Sequence, residues 1–307
     1  MSLRAWVQAS RPLAQANIAI PLLLGEMIAF VECARLDVGL LVLAHVFGLF
    51  DQLFIVYAND LADEEGDRKN ETPTAFSGGS RVLVEGKLTR KALSRAAIAM
   101  AIALLATSLV AAFAMDRPAA PAGWALAVLL LWAYSYPPLR GSYTGWGEAL
   151  QGLGVGVALP LLGFYLQCGD VRGFPWPVLL PSFLLAVASN ISTGLPDHAA
   201  DEAVGKQTWS IRYGAARARK HSLQIIAVAA LMTPLVLPDL PKQGWLAIEA
   251  APLLALAYNL RSSKDLDASD IKGVSRFVFV NGLAINLTLV GWIVALAIRP
   301  PWGWGWT

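Results

Sequence analysis

Apolar positions in this chain do not alternate with polar ones. They run together for about twenty residues at a time and then give way to short charged stretches. Nine such runs are present, at 12–31, 38–58, 91–115, 122–136, 146–167, 174–193, 221–237, 244–260 and 276–298. A helix rises about 1.5 Å per residue, so about 20 residues cross roughly 30 Å of hydrocarbon. The fourth run is short and ends at Pro137-Pro138; tilt or an earlier start lets it cross. The pattern predicts an all-α polytopic membrane protein, a bundle of nine transmembrane helices in one domain over residues 1–307. The first eleven residues lack an apolar run and a small-residue cleavage site. The first apolar run is therefore expected to be a retained span.

Composition agrees with the pattern. Hydrophobic residues make up 56% of the 307 positions and charged residues 15%, with mean hydropathy +0.53. Soluble domains hold about 45–50% apolar and about 25% charged residues. The apolar excess is too large for one water-soluble core. A net charge of +2 offers no basis for a nucleic-acid partner.

Nine spans put the two ends of the bundle on opposite sides of the bilayer. With the N-terminus inside, the outer segments hold only Arg35, Arg117, Arg172, Lys242 and Arg299, five of the 24 Lys and Arg residues. Basic residues concentrate on cytoplasmic segments. The expected location is the cell inner membrane, with the N-terminus and the two longest loops, 59–90 and 194–220, in the cytoplasm.

Those two loops carry the acidic residues. Span two runs directly into YANDLADEEGDRKN, where Asn59, Asp63 and Asp67 recur every four residues, with Asp60 three before Asp63. If the helix continues, all four share one face. Like charges on one face repel unless a cation compensates. Magnesium takes oxygen ligands and is usually held by one or two carboxylates together with substrate phosphates. Span six ends in LPDHAADEAVGKQTWSIRYG, where Asp197 and Asp201 are again four apart. One acidic helix end is ordinarily interfacial and solvated. Two with matching placement favour a metal–diphosphate site facing a cavity.

The segment N-D-x-x-D-x-x-x-D over Asn59, Asp60, Asp63 and Asp67 resembles the first motif of the UbiA superfamily of intramembrane prenyltransferases. Asp197 and Asp201 match its second motif, D-x-x-x-D. TAFSGGSRVLVEGKLTRKAL from Thr74 and YSYPPLRGSYTGWGEALQG from Tyr134 resemble loops of branches near menaquinone biosynthesis. The run from Asp197 to Gly214 is similar to the second loop of 1,4-dihydroxy-2-naphthoate polyprenyltransferases. It departs from them in reading Ser192-Thr193-Gly194-Leu195-Pro196 where they usually carry an Asn and an Arg.

The resemblance implies Mg2+-dependent transfer of a prenyl chain from a prenyl diphosphate to an aromatic acceptor within the lipid bilayer. The metal ligands would be Asp60, Asp63, Asp67, Asp197 and Asp201, with Asn59 as a neutral partner. Arg11, Arg68, Arg81, Arg140, Lys206 and Arg212 would offset phosphate charge. Tyr134 and Tyr136, with Tyr143 and Tyr57, would offer π faces to an allylic cation. Glu148 falls in the family-like Gly-x-Gly-Glu piece. Lys91, Arg95, Arg217 and Arg219 are expected to be headgroup anchors. His45 is expected to be a packed, satisfied histidine, and His198 at most a hydrogen-bonding neighbour of the second cluster. Gly152, Gly154 and Gly156 either leave room for the tail or permit close helix packing. Cys33 and Cys168 both map near the outer surface, where an oxidising compartment would permit a disulfide; the reading preferred is two unrelated thiols.

Three rivals are weighed. A transporter would place acids within the spans, whereas here only Glu26, Asp51, Glu148 and Glu249 do so. A CDP-alcohol phosphotransferase would pair D-G with A-R at fixed spacing, which is lacking. A UbiA-type terpene cyclase would use the same Asp motifs without an acceptor.

Overall fold

The computed structural model describes residues 2–264, 266–267 and 269–298. Arg299 lies outside the described residues. Among those described, every regular element is helical. In chain order we label α1 (Leu3–Ser10), α2 (Ala16–Cys33), α3 (Val38–Ala62), α4 (Glu64–Lys69), α5 (Arg90–Ala114), α6 (Ala120–Ser135) and α7 (Gly147–Cys168). There follow α8 (Leu179–Thr193), α9 (His198–Ala203), α10 (Trp209–Tyr213), α11 (Ala215–Leu231), α12 (Lys242–Ser262) and α13 (Ile271–Ala297).

Each of the nine apolar runs coincides with a helix. Six stretches among the described residues are long and apolar enough to cross a bilayer: Leu3–Cys33, Val38–Ala62, Arg90–Ala114, Gly147–Cys168, Trp176–Thr193 and Ile271–Ala297. Ala120–Ser135 is apolar but shorter. The runs at 221–237 and 244–260 fall short of that standard. Helix α11 opens on Arg217, Arg219 and Lys220 and breaks at Met232, and α12 carries Glu249 in its interior.

Local chemistry sets the boundaries. The side chain of Asp37 accepts from the Leu40 N–H at the start of α3 (3.0 Å), and Thr89 does the same for Ala92 at the start of α5 (3.2 Å). These are N-caps that satisfy otherwise orphan donors. Helix α1 was not expected from the hydrophobic pattern. Ser2 caps it, and Arg11, left-handed at φ 42°, ends it just before Pro12 opens a 3-10 turn.

The spans pack as a closed bundle. Helix α2 lies against the second half of α7, α3 against α5, α8 against α11, and α12 against α13, which returns to α2. In α7 the stretch Gly152–Ala158 is a π-helix. Its glycines differ in their surroundings. A Cβ at Gly156 would stand 2.5 Å from Phe183 Cα, so α7 and α8 meet backbone to backbone there. Gly154 instead lines an internal cavity.

One end of the bundle is locked. Cys33 and Cys168 form a disulfide with Cα atoms 6.0 Å apart. This corrects the expectation of two unrelated thiols, because the crossing of α2 and α7 ends both helices side by side. Gln167 accepts from the Asp37 N–H (2.8 Å), and Arg117 donates to the carbonyls of Leu166 and Gln167. Arg219 is a second correction. It is buried and donates to Leu266 O at 2.6 Å instead of facing headgroups. His45 meets Glu26 at 3.0 Å, the satisfied histidine expected.

Candidate active site

A cavity of ≈ 930 Å³ lies within the bundle and reaches the end where α3 and α8 finish. That is at the upper end of the roughly 300–1,000 Å³ common for ligand pockets. Along α3 it is lined by Phe47, Asp51, Ile55, Asn59 and Asp63, one residue in every four. This stripe is one helix face about 24 Å long. The opposite walls are apolar below Tyr134 and Gln151. They present Gly123, Ala127 and Leu130 from α6, and Gly154, Ala158 and Leu162 from α7.

The first acidic motif does not stay on one helix. Helix α3 ends at Ala62, the Asp63 N–H donates to Asn59 O (2.8 Å), and α4 starts at Glu64. Asn59, Asp63 and Asp67 line the cavity. Asp60 does not, which corrects the expectation of a shared face. It is buried against Arg11 and the N–H and hydroxyl of Ser80. Asp60 follows Asn59 directly on α3, about 100° further round the helix, and so leaves the face that Asn59 presents.

The segment 70–81 ties the two motifs together. Asn70 donates to Asp197 at 2.7 Å and the Gly78 N–H to the same oxygen at 2.9 Å. Arg81 donates to the carbonyls of Asp67 and Asn70. Gly78 and Gly79 are both left-handed, at φ 73° and 66°, and a Cβ at Gly79 would collide with the Asp67 carboxylate. Glycine allows the backbone to approach that close. Gln8 of α1 donates to Ser80 O at 2.7 Å, so the N-terminal helix braces this loop.

Lys206 joins the motifs from the other side. Its ammonium lies 3.2 Å from Asp63 and 3.3 Å from Asp201, and 5.0 Å from the Tyr143 ring. Burial alone would lower the lysine, but Asp63 and Asp201 raise it. It is therefore held charged. Burial pushes Asp67 up to about 7, against Arg11 and with help from Asp60, Asp63 and Asp197. Burial, then Asp201, also pushes Asp197 up to about 7, and burial raises Asp201. Acidic groups with such raised values compete for too little positive charge.

Of the expected residues, the cavity gathers Arg11, Asn59, Asp63, Asp67, Arg81, Tyr134, Asp197, Asp201 and Lys206, with Glu148. Glu148 accepts from the Trp209 N–H at 2.7 Å, joining α7 to α10. Five others lie outside the lining. Arg68 pairs with Glu64 on the surface, and Arg140 stacks over Tyr143 at 3.5 Å. Tyr136 donates to Ala58 O and Arg212 to Gly145 O; Asp60 is the fifth. Tyr57 packs edge-on to Trp6, and His198 meets only Ser210, at 3.2 Å. Sequence reasoning missed Asn70, Gln151 and Asn190. Asn190 donates to Gln151 (2.6 Å) beside Tyr134. Such neutral amides carry no charge signal. Only the proximity of Asn70 to the first motif offered one.

The donor set suits a hard cation. Asp63 and Asp67 face Asp197 and Asp201 across one cavity, with the Asn59 amide beside them, and all offer oxygen. Among the described residues no three His, Cys, Asp or Glu side chains converge closely enough to hold an ion alone. Magnesium would be held by such carboxylates together with substrate phosphate.

Comparison with known proteins gives a consistent picture. The model of the UbiA prenyltransferase family matches residues 18–283. The chain is 28% identical, over 215 residues, to 1,4-dihydroxy-2-naphthoate octaprenyltransferase of Bacillus subtilis (strain 168). That match covers 67% of this chain and 65% of the relative. A UbiA homolog from Archaeoglobus fulgidus, solved bound to DMAPP and Mg2+, superimposes with TM-score 0.67 at 18% identity, over 96% of this chain and 99% of that one. The apo UbiA homolog from Aeropyrum pernix K1 gives TM-score 0.67 at 16% identity, covering 91% and 97%. These structures share the fold, and with the family match the conclusion is direct: the chain belongs to the UbiA prenyltransferase family.

Proposed function

We propose that this protein is a Mg2+-dependent prenyltransferase that moves a prenyl chain from its diphosphate to an aromatic acceptor of the naphthoate, quinone-precursor type. The observation that carries this reading is the pair of Asp motifs facing each other at the polar end of a cavity whose far walls are apolar. The relative that acts on 1,4-dihydroxy-2-naphthoate supports the acceptor class, and the homolog bound to DMAPP and Mg2+ supports the donor and metal.

In this reading Asp63, Asp67, Asp197 and Asp201, with Asn59, hold magnesium together with the diphosphate. Bound magnesium supplies Lewis-acid neutralisation of the leaving group. Lys206, Arg11 and Arg81 add fixed positive charge around it. The C1–O bond of the donor breaks, and its electron pair leaves with diphosphate. Tyr134 presents its ring to the allylic cation. An acceptor ring carbon supplies the pair for the new C–C bond and then loses its proton or carboxyl group. The apolar walls of α6 and α7 take the tail.

We also propose nine spans, with the Asp-rich end in the cytoplasm. The disulfide at the opposite end supports that sidedness, since disulfides persist in oxidising compartments.

The test is incubation of purified protein with magnesium and labelled prenyl diphosphates. Parallel reactions contain or omit 1,4-dihydroxy-2-naphthoate, 4-hydroxybenzoate or homogentisate. Diphosphate release with a prenylated aromatic product is expected. A cyclised hydrocarbon without acceptor would move the reading to a cyclase. No release from any donor would refute it.

A further inference from the structure

Asp51 is an acid that the proposed reaction leaves unused. It sits in the interior of α3, is 4% exposed and lines the cavity. No side chain or backbone group among the described residues bonds to it, and its Oδ1 is buried without a partner. A buried carboxyl group without a donor is costly, and native proteins rarely retain one without a use. Within a membrane span the cost is higher still, and such residues are functional candidates. Glu26 and Glu249, buried in other spans, each leave one oxygen unpaired but anchor the other: Glu26 Oε2 meets His45, and Glu249 Oε1 accepts from Thr233.

Its position narrows the ligand. Asp51 lies on the same face as Asn59 and Asp63, about 12 Å below Asn59 by helical rise. It sits between Ile55 and Phe47, with Gln52 also on the lining. The diphosphate belongs at the Asp motifs, a full two turns away. A prenyl tail has no polar atom to offer a carboxyl group, and the α6 and α7 walls are its natural bed. The remaining reactant is the acceptor.

We infer that Asp51 binds the aromatic acceptor by accepting a hydrogen bond from a ring hydroxyl, so that hydroxylated aromatics are selected over ethers and over rings with a carboxylate at that end. A carboxylate there would meet like charge, and an ether has no proton to donate. The hydrogen bond also feeds electron density into the ring that must attack the prenyl cation. This inference rests on the prenyltransferase reading.

The experiment is a double cycle in acceptor and enzyme. The full chain in detergent is given a prenyl diphosphate, magnesium and either 1,4-dihydroxy-2-naphthoate or its mono-methyl ethers, as wild type, Asp51→Asn and Asp51→Leu. Wild type should prefer the free hydroxyl to one of the two ethers by roughly tenfold or more in kcat/KM, as expected for a hydrogen bond to a charged group. Asp51→Leu should lose that preference, with the donor KM and acceptor-free diphosphate release unchanged. Asp51→Asn, which keeps one acceptor oxygen, should fall between. No described residue bonds to the Asp51 carboxyl group, so Asp51→Leu should melt no lower than wild type. Preference retained in Asp51→Leu overturns the inference. So does a lowered melting temperature, which would mark a structural role, or a raised donor KM. Should naphthoate not serve, the same cycle is run with the hydroxylated aromatic that does. If wild type releases no diphosphate from any donor, the prenyltransferase reading itself fails and takes this inference with it.

Discussion

The two ends of the bundle are built on opposite principles. At one end, Cys33 is bonded to Cys168, Arg117 donates to helix-end carbonyls, and Asp37 pairs with Gln167. At the other, Asp63, Asp67, Asp197 and Asp201 share Lys206 and Arg11, and burial holds three of these acids above their usual range. The first end spends its interactions on stability. The second withholds them, and a ligand bringing positive charge is what resolves its repulsion. Sites that must bind are drawn from the less stable parts of a fold.

The sharpest way to break this contrast is to remove the acids. Asp63→Asn combined with Asp201→Asn should reduce magnesium-dependent diphosphate release by roughly 10²–10³-fold or more, the scale of a lost electrostatic contact in a transition state. Lys206 loses both carboxylate partners in that variant, so the melting temperature should fall as well. A variant that loses stability and keeps turnover would reverse the comparison.

The locked end should answer in the opposite way. Replacing Cys33 and Cys168 by Ser removes a link across 135 residues and should cost about 2–5 kcal/mol. It should leave turnover unchanged at temperatures where the protein remains folded. Thermal unfolding in detergent, with and without reductant, measures the first, and the diphosphate assay measures the second.

Acidity gives a subtler effect. Asp67 and Asp197 sit at about 7 in the folded protein, against about 3.9 in an unfolded chain. The folded state then binds more protons, so the two acids make metal-free stability fall as pH rises from about 4 to about 7. The Asp67→Asn, Asp197→Asn double variant should lack that fall. Magnesium with inorganic diphosphate should raise the wild-type melting temperature more at pH 8 than at pH 5.5. Equal slopes in wild type and variant would count against strained acids.

The smallest effect belongs to the rim. Glu64 pairs with Arg68 and Arg90, both well exposed, and these pairs depress its carboxyl group, the Arg68 bond first. Glu64→Gln should change stability by only about 0–1 kcal/mol and leave turnover intact. A large loss of activity would bring Glu64 into the site.

Much of this was legible in the chain. Each apolar run fell on a helix among the described residues, because length and hydrophobicity are local properties. The Asp spacing pointed to the acids that the cavity gathers, since carboxylates at membrane depth are rare enough to be informative. Asp60 was placed on the wrong face for a definite reason: it follows Asn59 directly on α3, about 100° further round the helix, and turns to Arg11 and Ser80 instead of the cavity. Arg68, Arg140 and Arg212 share the correct end of the bundle with the cavity but turn to Glu64, Tyr143 and Gly145. A side alone does not specify a direction.

By itself the sequence determined the helical class, the likeness to a family and the end at which chemistry gathers. Each follows from residue type and spacing along one helix. Only the tertiary structure decided which groups meet. Asn70 reaches Asp197 across 127 positions, Lys206 joins Asp63 to Asp201, and Cys33 finds Cys168. It also left Asp51 without a partner, facing the cavity. These pairings depend on how helices cross, and crossings are set by the packing of the whole bundle.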